Sequence, residues 1–156
     1  MILRCLAIMN KGDIMNDSKE LLSSVMNTAQ MGQTGIRSVL KYAMRPSLRA
    51  ALESQLQEYG TIESEAQAIA SSRAWELRDL EPALKAMSHM SAKMRPAFGN
   101  TDSRIAGMMI QGNTRGMIVG LKNLHQFNRQ DSQVTTLTQR LIDCETANIR
   151  QMQGFL

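Results

Sequence analysis

Glu145 and Asn148 stand one helical turn apart near the end of the chain, and Gln55, Glu58 and Tyr59 form a second polar group of similar spacing in its first half. Residues three and four apart share one face of a helix. A carboxyl, a phenol and amides gathered on such faces can form a hydrogen-bonded layer that fixes helix register, or they can offer oxygen and nitrogen ligands to a metal. With Asn123, the residues Gln55, Tyr59, Glu145 and Asn148 are read as the register-fixing layer. The competing reading is a residual ligand site made of Gln55, Glu58, Tyr59, Glu145 and Asn148. No catalytic motif stands in the sequence, so no enzymatic activity and no cofactor are expected.

A second cluster is Met87, His89, Met90 and Met94, within a chain that holds 13 methionines. Thioethers and one imidazole could take Cu(I). The plainer reading is a flexible apolar stripe, Met87, Met90 and Met94, docked on the rest of the protein or serving as an adaptable interaction surface. His125 is expected near a helix C-terminus, facing solvent or the helix dipole. Cys144 is read as an inert core filler. Cys5 is the other of only two cysteines, and no CxxC or Cys/His cluster is present, which excludes a disulfide framework and a structural zinc site.

These groups need helices to position them. Aromatic residues make up 4% of the 156, prolines number three, and helix-favouring residues dominate, so an all-α fold is predicted. Asp17 with Glu20 reads as a capping box, followed by an inward line of Leu22, Val25, Ala29, Gly32, Ile36, Val39 and Ala43. Pro46 opens a second helix carrying Leu48, Leu52, Gln55, Tyr59, Ile62, Ala66 and Ile69. Thr101 or Asp102 should cap a helix with Ile105, Met109, Gly112, Gly116, Val119 and Asn123 inward. The last helix carries Val134, Leu137, Leu141, Cys144, Asn148, Met152 and Phe155. The predicted helices are about 18–44, 46–74, 82–95, 102–127 and 132–155. They form a four-helix bundle over 16–156, in which two antiparallel hairpins are joined by a long crossover containing the short helix 82–95. A shift of eighty positions lays Gly32-Gln33-Thr34 on Gly112-Asn113-Thr114, which suggests two related hairpins.

The 18 Lys and Arg against 14 Asp and Glu give a net charge of +4 without a basic run; Arg37, Lys41, Arg45 and Arg49 are the densest group. That pattern lacks the basic stripe with interleaved aromatics of a nucleic-acid binder, so no nucleic-acid partner is expected. No apolar run reaches the roughly 20 residues needed to span a bilayer. The chain therefore reads as cytoplasmic, with a homo-oligomer or a protein partner expected.

Two antiparallel hairpins joined by a long connection are similar to the ferritin-like fold. The segments Ile105-Ala106-Gly107-Met108-Met109-Ile110-Gln111-Gly112-Asn113-Thr114 and Ile142-Asp143-Cys144-Glu145-Thr146-Ala147-Asn148-Ile149 resemble those of a group of uncharacterised bacterial ferritin-like proteins. The resemblance implies a di-iron site built from a Glu on each of two helices and Glu-x-x-His on the other two. This chain departs from that set. Its first and third long helices have no inward Glu, the second has Gln55, Glu58 and Tyr59 without a following His, and Asn148 stands where His belongs. The favoured function is a non-enzymatic structural or protein-interaction bundle; the alternative is a metal-handling ferritin-like protein with an atypical site.

Residues 1–15 are read as a non-structural leader or a mis-assigned start. Arg4 interrupts the apolar run Ile2 to Ile8, so a secretory signal is not expected, and Lys11-Gly12-Asp13 can be encoded by a purine-rich ribosome-binding sequence just before Met15. Intact mass spectrometry of the native protein should therefore give a chain beginning at Met15. A mass retaining residues 1–14 would overturn this expectation.

Overall fold

The computed structural model describes residues 11–78, 100–127 and 131–156, with the side chains of 11–14 left aside. All regular structure among the described residues is helical: α1 Lys11–Leu40, α2 Pro46–Ser72, α3 Thr101–Gln126 and α4 Ser132–Gln153. The predicted helix 82–95, with Met87, His89, Met90 and Met94, lies outside the described residues, as does the stretch 1–10.

The boundaries correct the sequence reading at several points. Helix α1 runs through Asp17 and begins at Lys11, so Asp17 and Glu20 form no capping box. At the other end it stops at Leu40, earlier than 44, and a turn over 41–45 closed by Tyr42 N–H donating to the Val39 carbonyl leads to Pro46 in the first turn of α2. Helix α2 ends at Ser72 with Ala74 in the left-handed region at φ 52. There the Trp75 N–H donates to the Ala70 carbonyl and the Ala74 N–H to that of Ser71, which satisfies two of the last carbonyls.

Asp102 does not cap its own helix. Asn100 holds the N-cap position of α3 in a left-handed conformation with no side-chain cap, while buried Asp102 reaches across to accept from Met44 N–H at 2.7 Å and Arg45 N–H at 3.0 Å. Its carboxylate also meets Arg45 Nε at 3.3 Å. At the opposite end, Asp131 caps α4 by accepting from Gln133 N–H and Val134 N–H, and pairs with Arg73 at 2.5 Å. The Asp131 N–H in turn donates to Ser18 Oγ of α1 at 3.0 Å. Each end of the fold is thus tied by an aspartate that joins elements far apart in sequence.

The contacts run in opposite directions along α1 and α2, where Gln30 and Gln33 both donate to Glu63 and Gly32 faces Tyr59. The same holds for α3 and α4, through Thr146 with Met117, Gly116 with Glu145 and Gly120 with Ile142. Helix α2 meets α4 through Gln55 with Gln151 and Glu65 with Arg140. Helices α1 and α3 meet through Ser24 with Asn123 and at the Asp102 clasp. The core joins Leu21, Leu22, Ile36, Leu48, Leu52, Ile62, Ile105, Leu141 and Met152, all within 2% of full burial.

The inward faces of α1, α2 and α4 follow the sequence reading closely, with Phe155 and Ile69 only half-buried. That of α3 does not. Its buried residues are Asp102, Ile105, Ala106, Met109, Asn113 and Gly120, whereas Gly112 and Val119 are exposed. The face is rotated because Met108, Gly112 and Val119 wall an open groove rather than the core. This breaks the eighty-residue correspondence: Gly32 packs on Tyr59, but a Cβ at Gly112 meets nothing within 4 Å.

A Cβ at Gly32 would fall 2.6–2.9 Å from the fully buried Tyr59 ring, whose hydroxyl is held by Glu145 and Asn113. Urea unfolding of Gly32→Ala should show a loss of about 1–3 kcal/mol from overpacking. The same change at Gly112 should gain about 1 kcal/mol from helix propensity. Equal effects at the two glycines would contradict this packing.

Candidate functional site

The centre of the bundle holds four polar side chains, drawn from three helices. Tyr59 Oη lies 2.8 Å from Glu145 Oε2, 3.1 Å from Asn113 Oδ1 and 3.4 Å from Asn148 Nδ2. All four residues are at most 3% exposed. Asn148 Nδ2 also points at Cys144 Sγ, 3.5 Å away. Helix α2 delivers Tyr59 through its inward line, and α4 delivers Glu145 and Asn148 from one face.

Two glycines make the space. The Tyr59 ring lies against Gly32 of α1, and Glu145 Oε1 lies where a Cβ of Gly116 in α3 would come within 2.5 Å. Any larger residue at either position would have to displace a buried side chain.

Burial dominates the electrostatics, because a carboxylate removed from water loses its solvation. The Glu145 carboxyl is pushed up to about 8, against the opposing effect of the Tyr59 hydroxyl. Burial also raises Tyr59 well above the usual phenol range, with the Glu145 carboxyl adding to the shift. At pH 7 Glu145 is therefore mainly protonated. A protonated carboxyl can donate to Tyr59 Oη, which leaves the phenol proton for Asn113 Oδ1 and accounts for two acceptors around one hydroxyl. Burial raises Cys144 as well, and Glu58 beside it adds to the effect, so the thiol is held in its unreactive form.

The structure brings Tyr59, Glu145 and Asn148 together and separates the other predicted members of the layer. Gln55 donates to Gln151 at 2.7 Å, with its Oε1 buried and unpartnered. Asn123 donates to Ser24 Oγ at 2.8 Å between α1 and α3. Glu58 is exposed, and His125 is exposed in the last turn of α3. Asn113, missing from the predicted layer, takes part in it. The sequence signal for it is the line Ala106, Met109, Asn113 and Gly120 along α3, which is no more apolar than the line through Ile105, Met109 and Val119.

Di-iron chemistry asks for several carboxylates and imidazoles around one point. The donor set here is one neutral carboxyl, a phenol and two amides, and no group of three His, Cys, Asp or Glu residues that could hold a metal occurs among the described residues. These residues do not fit a di-iron centre. Nor do they offer an activated nucleophile, since burial raises the thiol and phenol alike.

On the α1–α3 side the layer forms the floor of a groove of about 390 Å³. Its walls include Thr28, Gly32, Gly35 and Val39 of α1 with Met108, Gly112, Gly116 and Val119 of α3, and Tyr59, Asn113 and Glu145 lie at its base. Of the densest basic group, Arg37 donates to Gln33, Arg45 pairs with Asp102 and Arg49 donates to the Ala43 carbonyl. Arg37 and Arg49 thus serve the α1–α2 hairpin, and Arg45 ties its turn to α3.

Because the folded-state value of Glu145 lies above the ordinary 4.5, folding takes up a proton between pH 4.5 and about 8. The contribution is fully present below 4.5 and lost as pH rises through about 8, at about 1.4 kcal/mol per pH unit at most. Glu145→Gln should flatten this limb in chemical-denaturation curves recorded from pH 5 to 9. A wild-type curve superimposable on that of the variant would contradict the assignment.

No known protein family, no curated protein and no solved structure matches the chain.

Proposed function

We propose that the protein is a ferritin-like helical bundle with a non-enzymatic role, a structural or protein-interaction module that acts as a homo-oligomer or with a protein partner in the cytoplasm. The observation that carries this reading is the central layer. Glu145 is buried, protonated near neutral pH and bound to Tyr59, so the position that would supply chemistry in a di-iron protein supplies register instead. A ferrous ion placed there would have to shed water beside a single carboxyl, and the desolvation would go largely uncompensated.

The ferritin-like reading draws support from the order of the contacts. Helices α1 and α4 each border both other helices and one another, whereas α2 and α3 share no comparable contact, and the end of α2 at Arg73 lies beside Asp131 while the start of α3 at Asp102 lies beside Met44. The end of α2 and the start of α3 thus lie at opposite ends of the bundle, which is the placement a ferritin-like arrangement requires. An interaction role draws support from Ile118 and Leu121, 43% and 39% exposed one turn apart on α3. No helix among the described residues is long and apolar enough to cross a membrane.

Metal analysis of protein purified from iron-replete cells, with an assay of oxygen-dependent ferrous oxidation, tests the proposal. Metal well below one equivalent per chain and no oxidation above the buffer rate are expected, unchanged in Glu145→Gln. Two equivalents of iron that survive dialysis and disappear in Glu145→Gln would overturn it in favour of metal handling.

A further inference from the structure

The groove between α1 and α3 has features that a register-fixing layer does not need. It extends along α1 from Ser24 to Val39, about 22 Å at the rise of an α-helix. Its walls are mostly apolar and backbone-like, since Gly32, Gly35, Gly112 and Gly116 all border it. Polar capacity is concentrated at the base. Asn113 Nδ2 is buried with no hydrogen-bond partner, and Glu145 Oε1, on a residue 98% removed from solvent, faces Gly116 in the groove wall. A concave apolar site with a few converging polar groups is the usual form of a small-molecule site.

We propose that this groove binds an uncharged, elongated, apolar molecule with a hydroxyl at one end. The oxygen sits against Glu145 and Asn113, and the chain lies along Gly112 and Met108. An orphan amide donor calls for an acceptor, and a ligand hydroxyl can in turn donate to Glu145 Oε1, since the carboxyl's own proton is engaged by Tyr59. A fixed charge on the ligand fits poorly. An anion would have to shed its hydration at a base that holds no buried cation to pair with it, and a cation would have to ionise a carboxyl in an apolar setting while passing Arg115 at the rim.

Decan-1-ol is a suitable probe, read by the methyl signals of [13C-methyl]methionine-labelled protein. Met31, Met108 and Met109 line the groove, whereas Met152 is in the core and Met44 is 77% exposed. Saturable shifts of the three groove methyls, with Met44 and Met152 unmoved, are expected. Gly112→Leu projects its side chain into open space, so it keeps the fold and fills the groove; it should weaken binding at least tenfold. Asn113→Leu should weaken it several-fold. The inference is overturned if no saturable shift occurs, if Gly112→Leu binds as wild type does, or if decylamine binds more tightly than decan-1-ol. It is also overturned if the groove proves to be filled by a second copy, seen as a dimer that Gly112→Leu dissociates.

Discussion

The burial of the Glu145 carboxyl against Tyr59 is the constraint around which the centre of this protein is arranged. A charged carboxylate in that position would be costly, and a neutral one is tolerable only if its oxygens and hydroxyl find partners. Every helix contributes to meeting that condition. Helix α1 gives up a side chain at Gly32 so that the Tyr59 ring of α2 can lie flat against it, α3 does the same at Gly116 for the carboxyl, and Asn113 and Asn148 flank the phenol from α3 and α4. Shifting any one helix along its axis would leave a buried polar group unpaired. The layer therefore specifies register in a core otherwise built of aliphatic residues that could slide past one another.

The two ends of the bundle are fixed by different means. Asp102 holds the α1–α2 turn by its backbone N–H groups, and Asp131 holds α4, Arg73 and the start of α1. With both ends tied and the middle keyed by Tyr59 and Glu145, α1 and α3 are free to stand apart at mid-height, where glycines line both. The groove follows from that separation, and its base is the same polar layer that sets the register. Structure and binding capacity share residues here, so a ligand at Glu145 would bear directly on stability.

Much of this was legible in the sequence. The inward lines of α1, α2 and α4, the break at Arg45-Pro46 and the grouping of Tyr59, Glu145 and Asn148 all rest on periodicity and local chemistry, which a single chain carries. What was hidden depended on neighbours. The capping signal at Asp17 was overridden because the helix continues back to Lys11. Asp102 looked like a local cap, yet it serves a turn 57 residues away. On α3 a groove wall and a core face are equally apolar, so hydrophobic pattern does not separate Gly112 and Val119 from Asn113 and Gly120. Asn123 and Gln55 were assigned to the central layer on helical spacing alone, and their partners on other helices draw them elsewhere.

The central layer depends on the protonation state of one carboxyl. A titration of the side-chain carboxyl carbons by 13C NMR, with the Glu145 signal identified by its absence in Glu145→Gln, measures that state directly. The account predicts a midpoint near pH 8. A midpoint at the ordinary glutamate value near 4.5 would show a solvated, ionised Glu145 and contradict the buried neutral layer on which the rest depends.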